Sequence, residues 1–356
     1  MQQLVRPDIA TLSAYKAESL ADITATEIDK IDANEVSSDL PDWFKSQLGT
    51  IASDQIKANR YPDGEYAHLK QLIANYVGHG ITSSQISIGC GSDEIIRSLL
   101  VVACLHRGSI MVAEPTFSMY DILARSLGIP VVKVPRHDQN FQIDLAAAQA
   151  AIEQHHVAAI GLVHPNSPTG NLLNSAELDW VRSLPSNILV VIDEAYFEFA
   201  SHTLAAELDQ HPNWLIMRTF SKAFRLAAYR VGYAFAANEL IEALEKVRLP
   251  YNLPTIAHTA AELAMDNRDR LLELVPEIRQ ERDRLYRELS NLGLRVWPSA
   301  GNFLYARGQD NKAIAQALKQ KGTLIRQTGG GLRITVGTRS QNQRLIERMG
   351  DCLNSL

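Results

Sequence analysis

Between residues 86 and 192, short apolar runs alternate with amphipathic stretches, and this rhythm restricts the fold more than any other feature. Runs at 86–89, 110–113, 130–134, 157–163 and 188–192 have strand length, whereas 92–105, 116–127, 145–153 and 175–184 carry helical periodicity. Such alternation predicts parallel strands joined by helical crossovers, an α/β arrangement. Leu189-Val-Val-Ile192 lacks polar alternation, as expected of a strand covered on both faces. An open sheet of this kind binds its ligand beyond the carboxyl ends of the strands. Residues just past those runs are therefore the first candidates for chemistry.

The flanking sequence has a different texture. Residues 1–33 show no strong periodicity and are expected to lie as an arm on the body. Ser38-Asp-Leu-Pro41 reads as a helix start, with Ser38 or Asp39 near the cap. Asn59-Arg-Tyr-Pro-Asp-Gly64 reads as a turn-rich loop, and Tyr66, Leu69, Ile73, Tyr76 and Val77 recur at helical spacing. Beyond Glu239 comes a long helical, charge-rich stretch at 256–291. Its run Glu277-Ile-Arg-Gln-Glu-Arg-Asp-Arg is expected to be a solvated helix face. Strands at 294–297, 303–306 and 332–336 and helices at 311–320 and 340–354 complete a smaller α+β domain. The expected division is 34–245 for the large domain, with 1–33 and 246–356 forming the arm and the small one.

A length of 356 residues suits about two domains. The net charge of −5 gives no basic stripe, which argues against nucleic acid as a partner. Cys90, Cys104 and Cys352 form neither a disulfide framework nor a zinc signature, and the ten histidines show no ligand spacing, so no metal is assigned. No stretch approaches membrane-spanning length and the first residues do not resemble a signal peptide. A cytoplasmic location is the expectation.

Five stretches could carry chemistry. Gly89-Cys-Gly-Ser-Asp-Glu94 joins a strand to a helix, where first-turn N–H groups can bind an anion, although Ser92 or Asp93 could simply cap the helix. His164-Pro-Asn-Ser-Pro-Thr-Gly170 is a rigid loop after a buried strand, and Asp193-Glu-Ala-Tyr196 ends another. A carboxylate at Asp193 needs a cationic or donor partner, unless it serves only as a structural hydrogen-bond acceptor. Arg218-Thr-Phe-Ser-Lys-Ala-Phe-Arg-Leu-Ala-Ala-Tyr-Arg230 places Lys222 among small hydroxyls and arginines. Finally, alternation in Leu332-Arg-Ile-Thr-Val336 puts Arg333 opposite the apolar face, where a rigid guanidinium could clamp an anion. Arg326, before the glycines at 329–331, offers a second contact. Taken together, an amine, a ring-nitrogen anion, oxygen donors and an anion site suit pyridoxal phosphate.

At nearly full length the chain resembles the fold-type I pyridoxal-phosphate aminotransferases, and within them the histidinol-phosphate aminotransferase branch. Asp193-Glu-Ala-Tyr-Phe-Glu-Phe199, Ser221-Lys-Ala-Phe224, Leu332-Arg-Ile-Thr-Val-Gly-Thr338, Ala33-Asn-Glu35 and Asn59-Arg-Tyr-Pro62 carry the resemblance. It implies a large domain with a mostly parallel sheet flanked by helices, a smaller α+β domain, and a homodimer with shared sites. Lys222 would form the Schiff base and move the substrate proton, Asp193 would hold the pyridine nitrogen protonated, and Tyr196 would donate to the phenolic oxygen. Gly91, Ser92, Asp93, Thr219, Ser221 and Arg230 would surround the phosphate, joined by Tyr61 of the neighbouring subunit. Phe117 would stack on the cofactor ring. Tyr15, Asn34, Arg326 and Arg333 would meet the substrate.

One position departs from the family pattern. Its loop normally carries asparagine directly before the proline, where this chain has Ser167, with Asn166 one residue earlier. Either side chain could take over the contact to the phenolic oxygen. The resemblance implies a ping-pong transamination between histidinol phosphate and 2-oxoglutarate. An aromatic aminotransferase or a threonine-phosphate decarboxylase would share these motifs, and a catalytically silent binding domain is the alternative from another class.

Overall fold

Each apolar run between 86 and 192 is a strand in the computed structural model, which describes residues 4–12 and 25–355. The main sheet has seven strands in the order Ile86–Cys90, Val231–Ala236, Trp214–Thr219, Leu189–Asp193, Val157–Val163, Ser109–Glu114, Val131–Pro135. Both faces are covered. Val190 and Ile192 pack with Ile160, Leu162 and Ile216 in one core, while Leu189 and Val191 pack with Ala159, Val163, Leu215 and Met217 in the other. Burying such side chains stabilises by about 1.5–3 kcal/mol each, which explains why Val157–Val163 is apolar throughout.

Five strands of the sheet run parallel in sequence from Val131–Pro135 to Trp214–Thr219. Val231–Ala236 is antiparallel to both of its neighbours. Its amino end therefore meets the carboxyl ends of the strands beside it. Arg230, directly before it, is brought to the ligand edge in a left-handed conformation (φ 56°).

A third core gathers Ile31, Leu285, Leu289, Leu304, Leu318, Leu332, Ile334, Leu345 and Met349. It lies between a four-stranded antiparallel sheet, ordered Arg326–Thr328, Gly331–Thr335, Phe303–Arg307, Arg295–Trp297, and helices Val275–Asn291, Asn311–Gln320 and Arg339–Ser355. The arm joins this unit. Asp29–Lys30 pairs in parallel with Thr323–Leu324, and Asp29, 1% exposed, accepts from Arg344 Nε and Arg348 Nη1, each at 2.9 Å.

Several expectations are corrected. The stretch 256–291 is three helices, Thr255–Asp266, Arg268–Leu272 and Val275–Asn291, with Pro276 at the start of the last. Its charge run is not simply a solvated face. Arg279 donates to Phe199 O (2.8 Å) and Glu198 O (2.9 Å), and Glu281 is buried against Arg284 and Asn342. The first long helix starts at Asp42 with Pro41 at its cap position, and neither Ser38 nor Asp39 caps it. The helix expected from 116 begins at Met119, leaving Thr116–Ser118 to the loop. Strand Arg326–Thr328 was not legible in the sequence. Among the described residues no helix is long and apolar enough to cross a membrane.

Candidate active site

The carboxyl edge of the main sheet opens into a cavity of about 170 Å³, closed on the far side by Ala33 and Arg333. Asp193 enters it from the end of Leu189–Asp193. The carboxylate is 2% exposed, with Oδ1 accepting from Ala195 N (3.1 Å) and Oδ2 lying 3.5 Å from the Tyr120 hydroxyl. Burial pushes its pKa up to about 7, against the lowering effect of the Ala195 N–H, with Asp93 adding repulsion. A buried carboxyl so sparsely paired fits a cationic or N–H partner in the cavity. Tyr120 escaped the sequence reading, although it follows Phe117 by three residues on the next helix.

Lys222 sits opposite on the loop after Trp214–Thr219. Its Nζ donates to Ala33 O at 3.0 Å. Burial of the amine lowers its pKa; Tyr196 opposes this and Arg333 reinforces it. A depressed pKa increases the fraction of neutral, nucleophilic amine.

Below them lies a cradle for an anion. The helix Gly91–Ala103 points its first turn at the cavity, where Ser92 and Asp93 line the wall. The Gly91 N–H is engaged by Arg230 O (2.9 Å), and the Cys90 N–H by the Glu94 carboxylate. Glu94, rather than Ser92 or Asp93, thus closes the helix start. Gly91 is needed for space: its φ is +71°, and a Cβ there would come within 2.4 Å of Arg230 Nη2. Arg230 also reaches Ser221 Oγ (3.3 Å) and Asp93 Oδ2 (3.4 Å), and Thr219 Oγ1 contacts Ser221 Oγ (3.0 Å). Two hydroxyls, a guanidinium and a helix N-terminus around one space suit a phosphate group.

Behind this edge runs a buried ion pair. Arg218 and Glu194, 2% and 0% exposed, meet at 2.8 Å, with Thr203 bonded to both. Each is the chain neighbour of a site residue, Thr219 and Asp193, so the pair fixes the ends of two adjacent strands.

The wall from the second unit is built on Gly331–Thr335. Arg333 donates to Asp32 O (2.7 Å) and Ser167 Oγ (3.2 Å). Arg326 stands directly opposite Arg333 in the antiparallel register, so both guanidinium stems leave the same face. Ser167 and Phe117 line the cavity, whereas Asn166 does not. The Asn166 amide is occupied by Thr116 (2.8 Å), Pro115 O (3.0 Å) and Thr169 (2.6 Å), so it shapes the loop. Asn34 is also withdrawn from the wall. Fully buried, it donates to the Tyr196 hydroxyl (2.8 Å).

One other predicted position lies away from the cavity. Tyr61 is 81% exposed and stacks on Tyr251, 4.7 Å between ring centres. Tyr15 falls outside the described residues. Arg225 ties Asp39 O (3.0 Å) to Leu271 O (3.2 Å). Among the described residues no cluster of His, Cys, Asp or Glu could hold a metal.

Comparison with known proteins places the chain in a family and agrees with its fold. The family described as aminotransferase class I and II matches residues 28–349. A histidinol-phosphate aminotransferase of Synechococcus sp. (strain JA-3-3Ab) is 52% identical over 353 residues, 98% of each chain. One from Trichodesmium erythraeum (strain IMS101) is 51% identical over 98% of this chain and 99% of its own. The crystal structure of histidinol-phosphate aminotransferase from Sinorhizobium meliloti, in complex with pyridoxal-5'-phosphate, superposes with a TM-score of 0.87 at 26% identity, covering 99% of this chain and 98% of that one. The chain belongs to the class I and II aminotransferase family.

Proposed function

We propose that this chain is a pyridoxal-phosphate-dependent histidinol-phosphate aminotransferase, exchanging an amino group between L-histidinol phosphate and 2-oxoglutarate in histidine biosynthesis. The observation that carries the reading is the pairing of a half-buried amine, Lys222, with a buried carboxyl, Asp193, across one cavity that ends in an anion cradle. The described residues fit the cofactor: Asp193 has an open side toward the cavity, and the space beside Gly91 would be lost to any side chain. When bound, pyridoxal phosphate supplies an aldehyde and a protonated ring that withdraws electrons from the substrate's Cα.

The remaining work falls to the chain's own groups. Lys222 would bond the cofactor and would serve as the base for the Cα proton. Asp193, ionised by a cationic partner, keeps the ring nitrogen protonated. Tyr196, with Ser167 as the nearer of the two loop candidates, donates to the phenolic oxygen. Ser92, the Asp93 backbone N–H, Thr219, Ser221 and Arg230 would hold the phosphate, and Phe117 would face the ring. Arg333 with Arg326 clamps either a phosphate ester or a carboxylate, which lets one site accept two substrates in turn.

Tyr61, exposed and away from its own cavity, supports a homodimer in which it completes the neighbouring site. We further propose a cytoplasmic location and two domains, 34–245 and the remainder. A substrate panel tests the reading: histidinol phosphate should be converted far faster than phenylalanine, tyrosine or threonine phosphate. Preference for an aromatic amino acid, or release of carbon dioxide from threonine phosphate, would overturn the substrate assignment while leaving the cofactor in place.

A further inference from the structure

Asn34 is fully buried, yet its side chain reaches hydroxyl groups on two different elements. Thr335 Oγ1 accepts from the Asn34 backbone N–H at 2.9 Å and lies 3.2 Å from Asn34 Oδ1. A hydroxyl that already accepts has its own proton to give, so Oδ1 is its acceptor. Asn34 Nδ2 then faces the Tyr196 hydroxyl at 2.8 Å and donates to it. The backbone holds this pose: Asn302 Nδ2 donates to Asn34 O (3.0 Å), and Asn34 sits at φ 55°, a region that asparagine tolerates.

A phenol that accepts from Asn34 must direct its own proton elsewhere, and the open direction for Tyr196 is the cavity it lines. With the amide reversed, Tyr196 would donate to Oδ1 and present only a lone pair to the cavity. We propose that Asn34 is a positioning residue, anchored by Thr335, that aims the Tyr196 proton at the phenolic oxygen of the bound cofactor. The inference rests on the aminotransferase reading and assigns Asn34 a role other than substrate contact. It also places the setting of that proton on the same strand as Arg333, two residues away.

The charged groups around the phenol are Lys222, whose Nζ is 5.9 Å from its ring centre, and Asp193, Asp93, Arg230 and Arg333 in the cavity wall. Phe303 packs on its other side, 4.9 Å between ring centres, and adds no charge. A donated proton stabilises the deprotonated phenolic oxygen and so lowers the pH at which the lysine-linked chromophore gains its proton. The loss of one such bond is worth about half to one pH unit.

The test is a pH titration of the visible absorption of the cofactor-loaded protein. Asn34→Gly, which keeps the backbone conformation, and Thr335→Val, which keeps the side-chain shape, should each raise the midpoint by about half to one unit. Thr335→Ser should restore it. Tyr196→Phe should raise it too, and adding Asn34→Gly to that background should change nothing further. Thr335→Val against Thr335→Ser carries the test should Asn34→Gly not fold. Midpoints indistinguishable from wild type, or a full Asn34→Gly shift persisting in Tyr196→Phe, would overturn the inference. A wild-type protein with no pH-dependent visible band would overturn the cofactor assignment itself, and the inference with it.

Discussion

Asp193→Asn probes a carboxyl held in an environment that disfavours its charge. Burial raises its pKa from 3.8 to about 7. The empty folded protein therefore keeps a proton that the unfolded chain has already released, and stability from this group falls as pH rises through that window. Below about pH 4 the penalty vanishes. Above about pH 7 it reaches roughly 4 kcal/mol, about three pH units at ~1.4 kcal/mol each. Between about pH 5 and about pH 8 it grows by about 2.5 kcal/mol. Asparagine does not titrate, yet its oxygen can accept from Ala195 N–H and its amide can donate to the Tyr120 hydroxyl. Urea unfolding of cofactor-free protein should thus show the variant gaining about 2.5 kcal/mol on wild type across that range. Glu198, also raised to about 7 by burial, is common to both proteins and cancels in the difference. Saturating cofactor supplies the missing cation and should flatten the wild-type dependence, while the variant loses transamination. A stability difference that does not change with pH would refute the reasoning.

Other substitutions address separate parts of the site. Lys222→Ala should abolish transamination and the borohydride-reducible adduct, read by mass spectrometry of the peptide spanning that residue. Arg333→Ala should lower kcat/KM for both histidinol phosphate and glutamate, by roughly 10- to 150-fold for a lost charge-assisted contact. Arg218→Met strands Glu194 without its cation and should cost about 3–5 kcal/mol in urea unfolding; replacing both with apolar residues should recover most of it.

The sheet was legible because double-sided burial forces unbroken apolar runs, and Val157–Val163 and Leu189–Asp193 could hardly be written otherwise. The candidate site was legible because strand carboxyl ends gather ligand groups, so Asp193, Lys222 and the 89–94 turn stood out by position. What stayed hidden depends on partners distant in sequence. Glu194 is indistinguishable from a loop carboxylate until Arg218 is seen against it. Asn34 reads as a substrate contact until Thr335 and Tyr196 close around it. The same cause explains Arg225 and Arg279, arginines whose acceptors are backbone carbonyls of other segments. Asn166 and Ser167 could not be separated by sequence because only the loop geometry turns one inward. Strand Arg326–Thr328 is too short to carry a period of two.

The antiparallel strand Val231–Ala236 bears on how the protein assembles. It joins the earliest strand of the sheet, Ile86–Cys90, to one formed much later in the chain, Trp214–Thr219. The anion cradle draws on the ends of all three. No partly made sheet lacking this strand can present Gly91, Ser221 and Arg230 to the same phosphate. With the proposed phosphate contacts, capture of the cofactor would be a late event in folding, one that rewards only the completed sheet. In the proposed binding mode the ligand bridges a long loop closure in the domain, and loss of cofactor should loosen this seam before the parallel strands at 157–193.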